Sequence, residues 1–344
     1  MIVTENDAMA LAVVLLEDRG VPSRHAILQA RVLVEAELKA HPSHGLQRLP
    51  RILTRIERGL INPRSEGYCK WRSSSFLEVD GLRGLGPVVA STALELVAKR
   101  TIETGIAVAG IRNSNHLGML AYYVECLADK GLIGLAMSSS EALVHPFGGT
   151  TALLGTNPVA IAVPTSERPL VVDLATSIVS MGKIHHHAGN GIAIPEDWAR
   201  DSSGRATTDA GAAMSGSIAP FGDAKGYALG MALELLVASI AMSALAPEVR
   251  GTLDSETVCN KGDVLIAIDT GVRPDLLTRF SSYLDCVRKS QPADPAHPVT
   301  VPGDGASFRR QRAISDGIEC APRLWDELNA LCHSNKSLVK GHGQ

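Results

Sequence analysis

Ser43-His44-Gly45 is followed at position 48 by an arginine. An imidazole exchanges a proton near neutral pH, and a neighbouring hydroxyl can orient the ring. The guanidinium of Arg48 offers a fork of donors that matches a carboxylate. If His44 opens a helical turn, Arg48 falls about one turn later on the same side. One end of a carboxylic acid could then be anchored while the other gains or loses a proton. The same residues also suit a plain helix start with Ser43 as its cap.

A second cluster, Arg112-Asn113-Ser114-Asn115-His116-Leu117-Gly118, follows the strand-like IAVAG and precedes a helical pattern. Ligands gather where strand ends meet helix starts, and His116 could donate to a substrate oxygen or pack on a nicotinamide. The competing reading is a polar loop capped by Asn115. A third set lies in the joints HPFGGTTALLGTNPVAIAVP and PLVVDLATSIVSMGK. Their glycines let backbone approach a ligand, Thr156, Asn157, Thr176 and Ser177 offer short polar contacts, and Asp173 ends an apolar strand where a carboxylate needs partners. In Pro220-Phe221-Gly222-Asp223-Ala224-Lys225-Gly226-Tyr227, a helix start joined to Lys225 would suit a phosphate-bearing cofactor or be a simple helix entry.

Some chemistries have no footing. His185-His186-His187 invites a metal, but adjacent side chains point apart in strand and helix alike, and neither HExxH nor an acidic run at ligand spacing is present. The expectation is no metal. GxGxxG after a strand, the GxxxxGK[ST] phosphate loop and the GxSxG elbow are also missing.

The elements that must position these residues can be read from periodicity. Thr4 caps a first helix that stops at Gly20, a second ends near His41-Pro42, and a third spans Leu49 to Arg58. After Trp71 the texture becomes FLEVDG, a helix opening past Gly86-Pro87, then IAVAG, a helix over MLAYYVECLADKG, and LIGLAMS. Locally this is β-helix-β-helix-β, so an α/β lobe is expected. PVAIAVP, PLVVDLA and DVLIAID add strands, residues 224–245 a long helix, and 290–306 an irregular crossing before a last helix around RLWDELNALC.

The 344 residues are 45% apolar, enough for more than one lobe. Thirty-three basic against 36 acidic residues leave a net charge of −3, which supplies no nucleic-acid footprint. The longest apolar run, YALGMALELLVASIAMSALA, contains Glu234 and suits a buried helix better than a membrane span. The start carries no positively charged export region, and six scattered cysteines without CxxC spacing read as reduced thiols of a cytoplasmic protein.

Taken together, SHGLQRLP at 43–50, RNSNHLG at 112–118, HPFGG at 145–149, LGTNP at 154–158, DLATS at 173–177 and PFGDAKG at 220–226 resemble the malate/L-lactate dehydrogenase family of NAD(P)-dependent oxidoreductases. The likeness runs in family order over roughly residues 5–305. It implies an α/β fold tending to α+β, with a non-Rossmann cofactor domain around a large mixed or mainly antiparallel sheet. It also implies a helical domain of residues 1–80 joined by helices in 306–335, a catalytic region of 81–305 with a sub-domain at about 206–290, and a homodimer or higher homo-oligomer. By the same resemblance His44 is the proton donor or acceptor beside Ser43, with His116 the emphasis in some members. Arg48, Asn115 and Thr156 meet the substrate. Ser140, Asp173, Leu174, Ala175, Thr176, Ser177, Lys225, Pro302, Gly303 and Asp304 meet the cofactor, NAD or NADP.

The chain departs from the family in having His41-Pro42 where relatives commonly carry an Asp, and Gly305 where an acidic residue often follows the late PG. The implied reaction is hydride transfer between C4 of a nicotinamide and C2 of a small 2-hydroxy or 2-oxo acid, with His44 as imidazolium protonating the alkoxide during reduction. The rival is reduction of a cyclic imino acid, which also places a carboxylate beside a polarised carbon.

Overall fold

The computed structural model describes residues 1–271 and 273–340. The chain begins with β1 (Ile2–Val3), α1 (Glu5–Glu17) and α2 (Ser23–Leu38). Two single 3-10 turns, Pro42–His44 and Leu46–Arg48, then lead into α3 (Leu49–Glu57). Thr4 caps α1 by accepting the Asp7 N–H at 3.1 Å. A strand pair, β2 (Tyr68–Trp71) and β3 (Phe76–Asp80), is followed by α4 (Gly86–Thr104), β4 (Ile106–Arg112), α5 (Ala121–Ala128) and β5 (Ile133–Ser138). Next come β6 (Val159–Val163), β7 (Leu170–Leu174), α6 (Met181–Gly189), β8 (Ala199–Arg200), α7 (Ala210–Ala213) and β9 (Ser217–Ile218). The chain closes with α8 (Ala224–Ala241), β10 (Gly262–Ile268), α9 (Pro274–Arg288), α10 (Asp304–Asp316), β11 (Ile318–Glu319) and α11 (Pro322–Lys340).

Seven strands form one mixed sheet in the order β2-β3-β4-β10-β5-β6-β7. Only the β3–β4 pair is parallel; the other neighbours are antiparallel. The local β-helix-β reading of β4, α5 and β5 is therefore right in direction and wrong in adjacency. These two strands run the same way, but β10 arrives more than a hundred residues later and lies between them. Alternation then sorts the side chains. Ala107, Ala109, Ala136, Ala160, Leu265 and Ala267 face α4 and α5, while Met137 and Val264 face Val237 of α8.

The helical unit has its own core. Ala12, Leu15, Leu33, Leu49 and Leu53 pack with Leu328 of α11, and β1 pairs with β11 through Val3 and Ile318. Both chain ends thus build one layer. Its limit lies before residue 80, since β2 and β3 belong to the large sheet. A third small core joins Val144, Leu154, Ile184, Ala199, Ala213 and Ile218. α2 also ends sooner than its apolar pattern suggested, at Leu38, and Ala40 turns the chain with φ of 56°.

α8 is long and apolar enough to cross a membrane by length and composition, yet its Glu234 is buried and saturated. It accepts from the Gly155 N–H at 3.2 Å, Asn157 Nδ2 at 2.6 Å and the Ala246 N–H at 2.7 Å. These bonds fix the LGTNP joint against α8.

Candidate active site

One end of the sheet collects the chemistry. The C-terminal ends of β4, β5 and β7 and the N-terminal ends of β6 and β10 all lie there, because their register pairs Arg112 with Gly262, Ser138 with Asp263 and Val159 with Leu174. A cavity of about 1360 Å³ opens between this end, the Ser43–Arg51 segment and residues of α6, α10 and α11.

Two close approaches fix the histidine segments. Glu37 of α2 is buried, and its Oε1 accepts the Leu46 N–H at 2.6 Å, directly between His44 and Arg48. A Cβ at Gly45 would stand 2.1 Å from that oxygen, so a larger residue would have to displace the Glu37 carboxyl. Burial pushes the Glu37 carboxyl up to about 7 despite the Leu46 bond. On the other side, a Cβ at Gly86 would stand 2.2 Å from the His116 carbonyl, which lets the RNSNHLG loop press onto the start of α4.

The result is an imidazole pair. His44 and His116 have ring centroids 5.5 Å apart at 45°, and both line the cavity with Arg48. Ser43 Oγ lies 3.0 Å from His44 Nδ1, and Arg48 Nε donates to the Ser43 carbonyl at 2.6 Å, which leaves the rest of the guanidinium for a ligand. His116 Nδ1 accepts the Gly118 N–H at 2.9 Å, so the proton of the neutral ring sits on Nε2. His116 is thereby a fixed donor, whereas His44 keeps a hydroxyl that can serve either tautomer.

Burial, then the charges of Arg48 and His41, push His44 down to about 3. Burial and the charges of Arg48, His44 and Lys261 hold His116 well below the usual imidazole range. These shifts favour neutral rings in the free cavity, and the imidazolium expected of His44 during reduction concerns the substrate-bound state. A neutral His44 is the competent base for oxidising a hydroxy acid. An incoming anion must offset the surrounding cations before it can serve as the acid.

Of the residues expected to meet cofactor or substrate, Ser140, Thr156, Asp173, Leu174, Ala175, Pro302 and Gly303 line the same cavity. Thr156 N–H donates to Ser140 Oγ at 2.9 Å, tying two joints of the wall together. Asp173 opens to solvent inside the cavity and accepts the Ala121 N–H at 2.8 Å; burial among protein atoms pushes its carboxyl up to about 6. At Gly303, φ is 92° and a Cβ would meet the Val171 carbonyl at 3.0 Å, a close approach that suits a backbone contact with a ligand.

Five expected residues lie elsewhere. The Asn115 amide donates to the carbonyls of Arg83 and Gly84, both at 2.9 Å, and accepts from Arg55 Nη2 at 3.1 Å. It is a strut of the loop and has no donor left for substrate. Thr176 is buried with its hydroxyl on the Thr156 carbonyl at 2.9 Å, and Ser177 is buried beside it. Asp304 is clamped by Arg288 through two 2.8 Å bonds, and Lys225 is exposed on α8 outside the cavity of its own chain. The histidine run diverges: His185 and His186 line the cavity, while His187 packs edge-on against Trp198 at 5.5 Å.

Sequence reasoning missed Arg51, Lys261 and the positioning carboxylate Glu37. Arg51 stands one turn past Arg48, and Lys261-Gly262-Asp263 puts two charges at the start of an apolar strand. That second pattern is the signal that a buried pair was coming.

The whole chain can now be set beside known proteins. Residues 3–329 match the family model described as malate/L-lactate dehydrogenase. A dehydrogenase of solved structure from Sinorhizobium meliloti is 57% identical, with a TM-score of 0.93 over 96% of this chain and 98% of that one. The (2R)-3-sulfolactate dehydrogenase (NADP(+)) of Chromohalobacter salexigens is 34% identical over 95% of this chain and 97% of its own. A Delta(1)-pyrroline-2-carboxylate reductase of Burkholderia multivorans is 32% identical over 96% and 97%. The chain belongs to the malate/L-lactate dehydrogenase family and is an NAD(P)-dependent oxidoreductase.

Proposed function

We propose that the protein transfers hydride between NAD(P) and a small 2-hydroxy or 2-oxo carboxylic acid of the malate, lactate, sulfolactate or ureidoglycolate kind. The observation that carries this reading is the convergence of His44, His116 and Arg48 on one cavity, with the imidazoles 5.5 Å apart.

The cavity residues fit a dinucleotide. About 1360 Å³ exceeds the 300–1,000 Å³ typical of a pocket for one small molecule. Ser140, Thr156 and Asp173, the backbone from Leu174 to Ala175 and the Pro302-Gly303 turn would hold it. When bound, the nicotinamide supplies a hydride donor or acceptor at C4. Arg48 holds the substrate carboxylate, and His116 Nε2–H donates to the oxygen on C2. His44 removes the hydroxyl proton in oxidation and returns one in reduction. Placement of reactants that would otherwise meet by diffusion is the main catalytic contribution.

The second reading, reduction of a cyclic imino acid, is favoured by the likeness to the Burkholderia reductase. Assaying 2-hydroxy acids, 2-oxo acids and cyclic imino acids side by side with both cofactors separates the two. Turnover confined to the imino acids would overturn the first.

A homodimer is also part of the proposal. Leu229, Leu235 and Leu236 of α8 are 40%, 53% and 41% exposed, and Met242 and Leu245 beyond its end extend this apolar strip. Such a strip calls for a partner, and a second copy would bring Lys225 close to the interface. Six unpaired cysteines support a reducing, cytoplasmic setting.

A further inference from the structure

Resting on the hydride-transfer reading above, we propose that the substrate carries a second anionic group beyond its reacting carbon, and that Lys261 and Arg51 hold it.

Lys261 is 2% exposed, and a lysine this deep is rare unless paired. Its ammonium bonds to Asp263 Oδ1 and, at 3.2 Å, to Ser138 Oγ, while Ser138 itself donates to Asp263 at 2.6 Å. An ammonium has three N–H donors. Two are taken here; the third has no acceptor among the described residues, and the side chain forms part of the cavity wall. Stability does not account for the arrangement, since an apolar replacement of a buried ion pair is often as stable or more so. Asp263 pairs with Ile111 on one side and Ser138 on the other, so Lys261 is anchored in the same rigid frame as the His116 loop.

Charge balance gives the second line of argument. Among the cations lining the cavity, Lys39 is answered by Glu125 at 2.5 Å and Glu35 at 3.3 Å, and Lys261 by Asp263. Arg48, Arg51 and Arg309 also line the cavity without an ion-pair partner among the described residues. Arg309 sits apart on α10 with its Nε on the Lys39 carbonyl at 2.9 Å, whereas Arg48 and Arg51 stand three residues apart on the wall near the imidazoles. One substrate carboxylate neutralises one of them. A second anionic group neutralises the other, and the spare Lys261 donor gives it a fixed hydrogen bond. Burial first, and then the Arg51 charge, bring Arg48 down to about 10.

The test compares malate and 3-sulfolactate, as both enantiomers, with the 4-amide of malate, using NAD and NADP. The amide keeps the shape of malate and removes one charge. Wild-type protein is expected to favour the dianions by about tenfold or more in kcat/KM, the scale of one charge-assisted hydrogen bond. Arg51→Gln, and separately Lys261→Met combined with Asp263→Asn so that no carboxylate is left buried alone, should each cut the malate-to-amide ratio by about tenfold. The change should appear in the KM of the acid and leave the KM of the cofactor within twofold. A wild-type ratio near one overturns the proposal, as does a ratio unchanged in Arg51→Gln or a loss confined to the cofactor KM. Oxidation of no 2-hydroxy acid with either cofactor would instead overturn the hydride-transfer reading beneath it.

Discussion

Because the Gly118 N–H occupies Nδ1 of His116, that ring cannot change tautomer without breaking a 2.9 Å bond, and proton exchange falls to His44. With His44 held down to about 3 in the free cavity, a bound 2-oxo acid anion raises it, and binding takes up a proton wherever the pH lies between the free and the raised value. The sign is definite. Affinity for a 2-oxo acid should fall about tenfold per pH unit between the free value near 3 and the higher pKa His44 has in the complex, and level off above that pKa. Calorimetry in buffers of different ionisation enthalpy should show uptake of up to one proton; release of a proton would contradict this. Arg48→Lys should raise the KM of the acid about 10- to 100-fold, because an ammonium cannot make the planar two-point contact. The SHG and RLP residues stood out by type and spacing, but these left a plain helix start open, and the resemblance supplied their roles. The role of Asn115 was not, since a polar loop residue looks the same whether it faces a ligand or, as here, three backbone and side-chain partners.

The segment from α2 to α3 shows how an element sets a site. Glu37 reaches from the helix to the Leu46 N–H, and Gly45 leaves room for it. Since burial raises this carboxyl to about 7, the folded state favours the protonated form. The stability this gives is full below the ordinary carboxylate range, near 4.5, and is lost as pH rises through about 7. Glu37→Gln should therefore melt higher than wild type at pH 8, by a few degrees, with the gap closing towards pH 5. An equal gap at both values would remove the titration from the account. Gly45→Ala should cost about tenfold or more in kcat/KM, since a Cβ 2.1 Å from Glu37 must displace that carboxyl from the Leu46 N–H or move the loop; unimpaired turnover would show that the contact has slack. Strands that form continuous apolar runs, such as β6 and β10, could be read in the sequence. The four-residue β2 and the polar α9 could not, because neither carries a continuous apolar face of its own.

For the whole molecule, the sheet order depends on β10 inserting between β4 and β5, a pairing across more than a hundred residues that no local pattern contains. The family likeness supplied a mixed sheet where periodicity alone suggested parallel neighbours. The same limit applies to α8, whose all-round apolar composition hid the fact that one side meets the sheet while Leu229, Leu235 and Leu236 face outward. If a second copy covers that side, Leu235→Glu should convert the protein to a monomer in light scattering, with a folded circular-dichroism spectrum. An unchanged oligomer would place the contact elsewhere. The central claim, that His44 moves the proton for a hydride transfer in this cavity, has a direct test in one variant. His44→Ala should lose about 10²- to 10⁴-fold in kcat while binding NAD(P)H, measured by fluorescence, within about twofold of wild type. Turnover at the wild-type rate would contradict it.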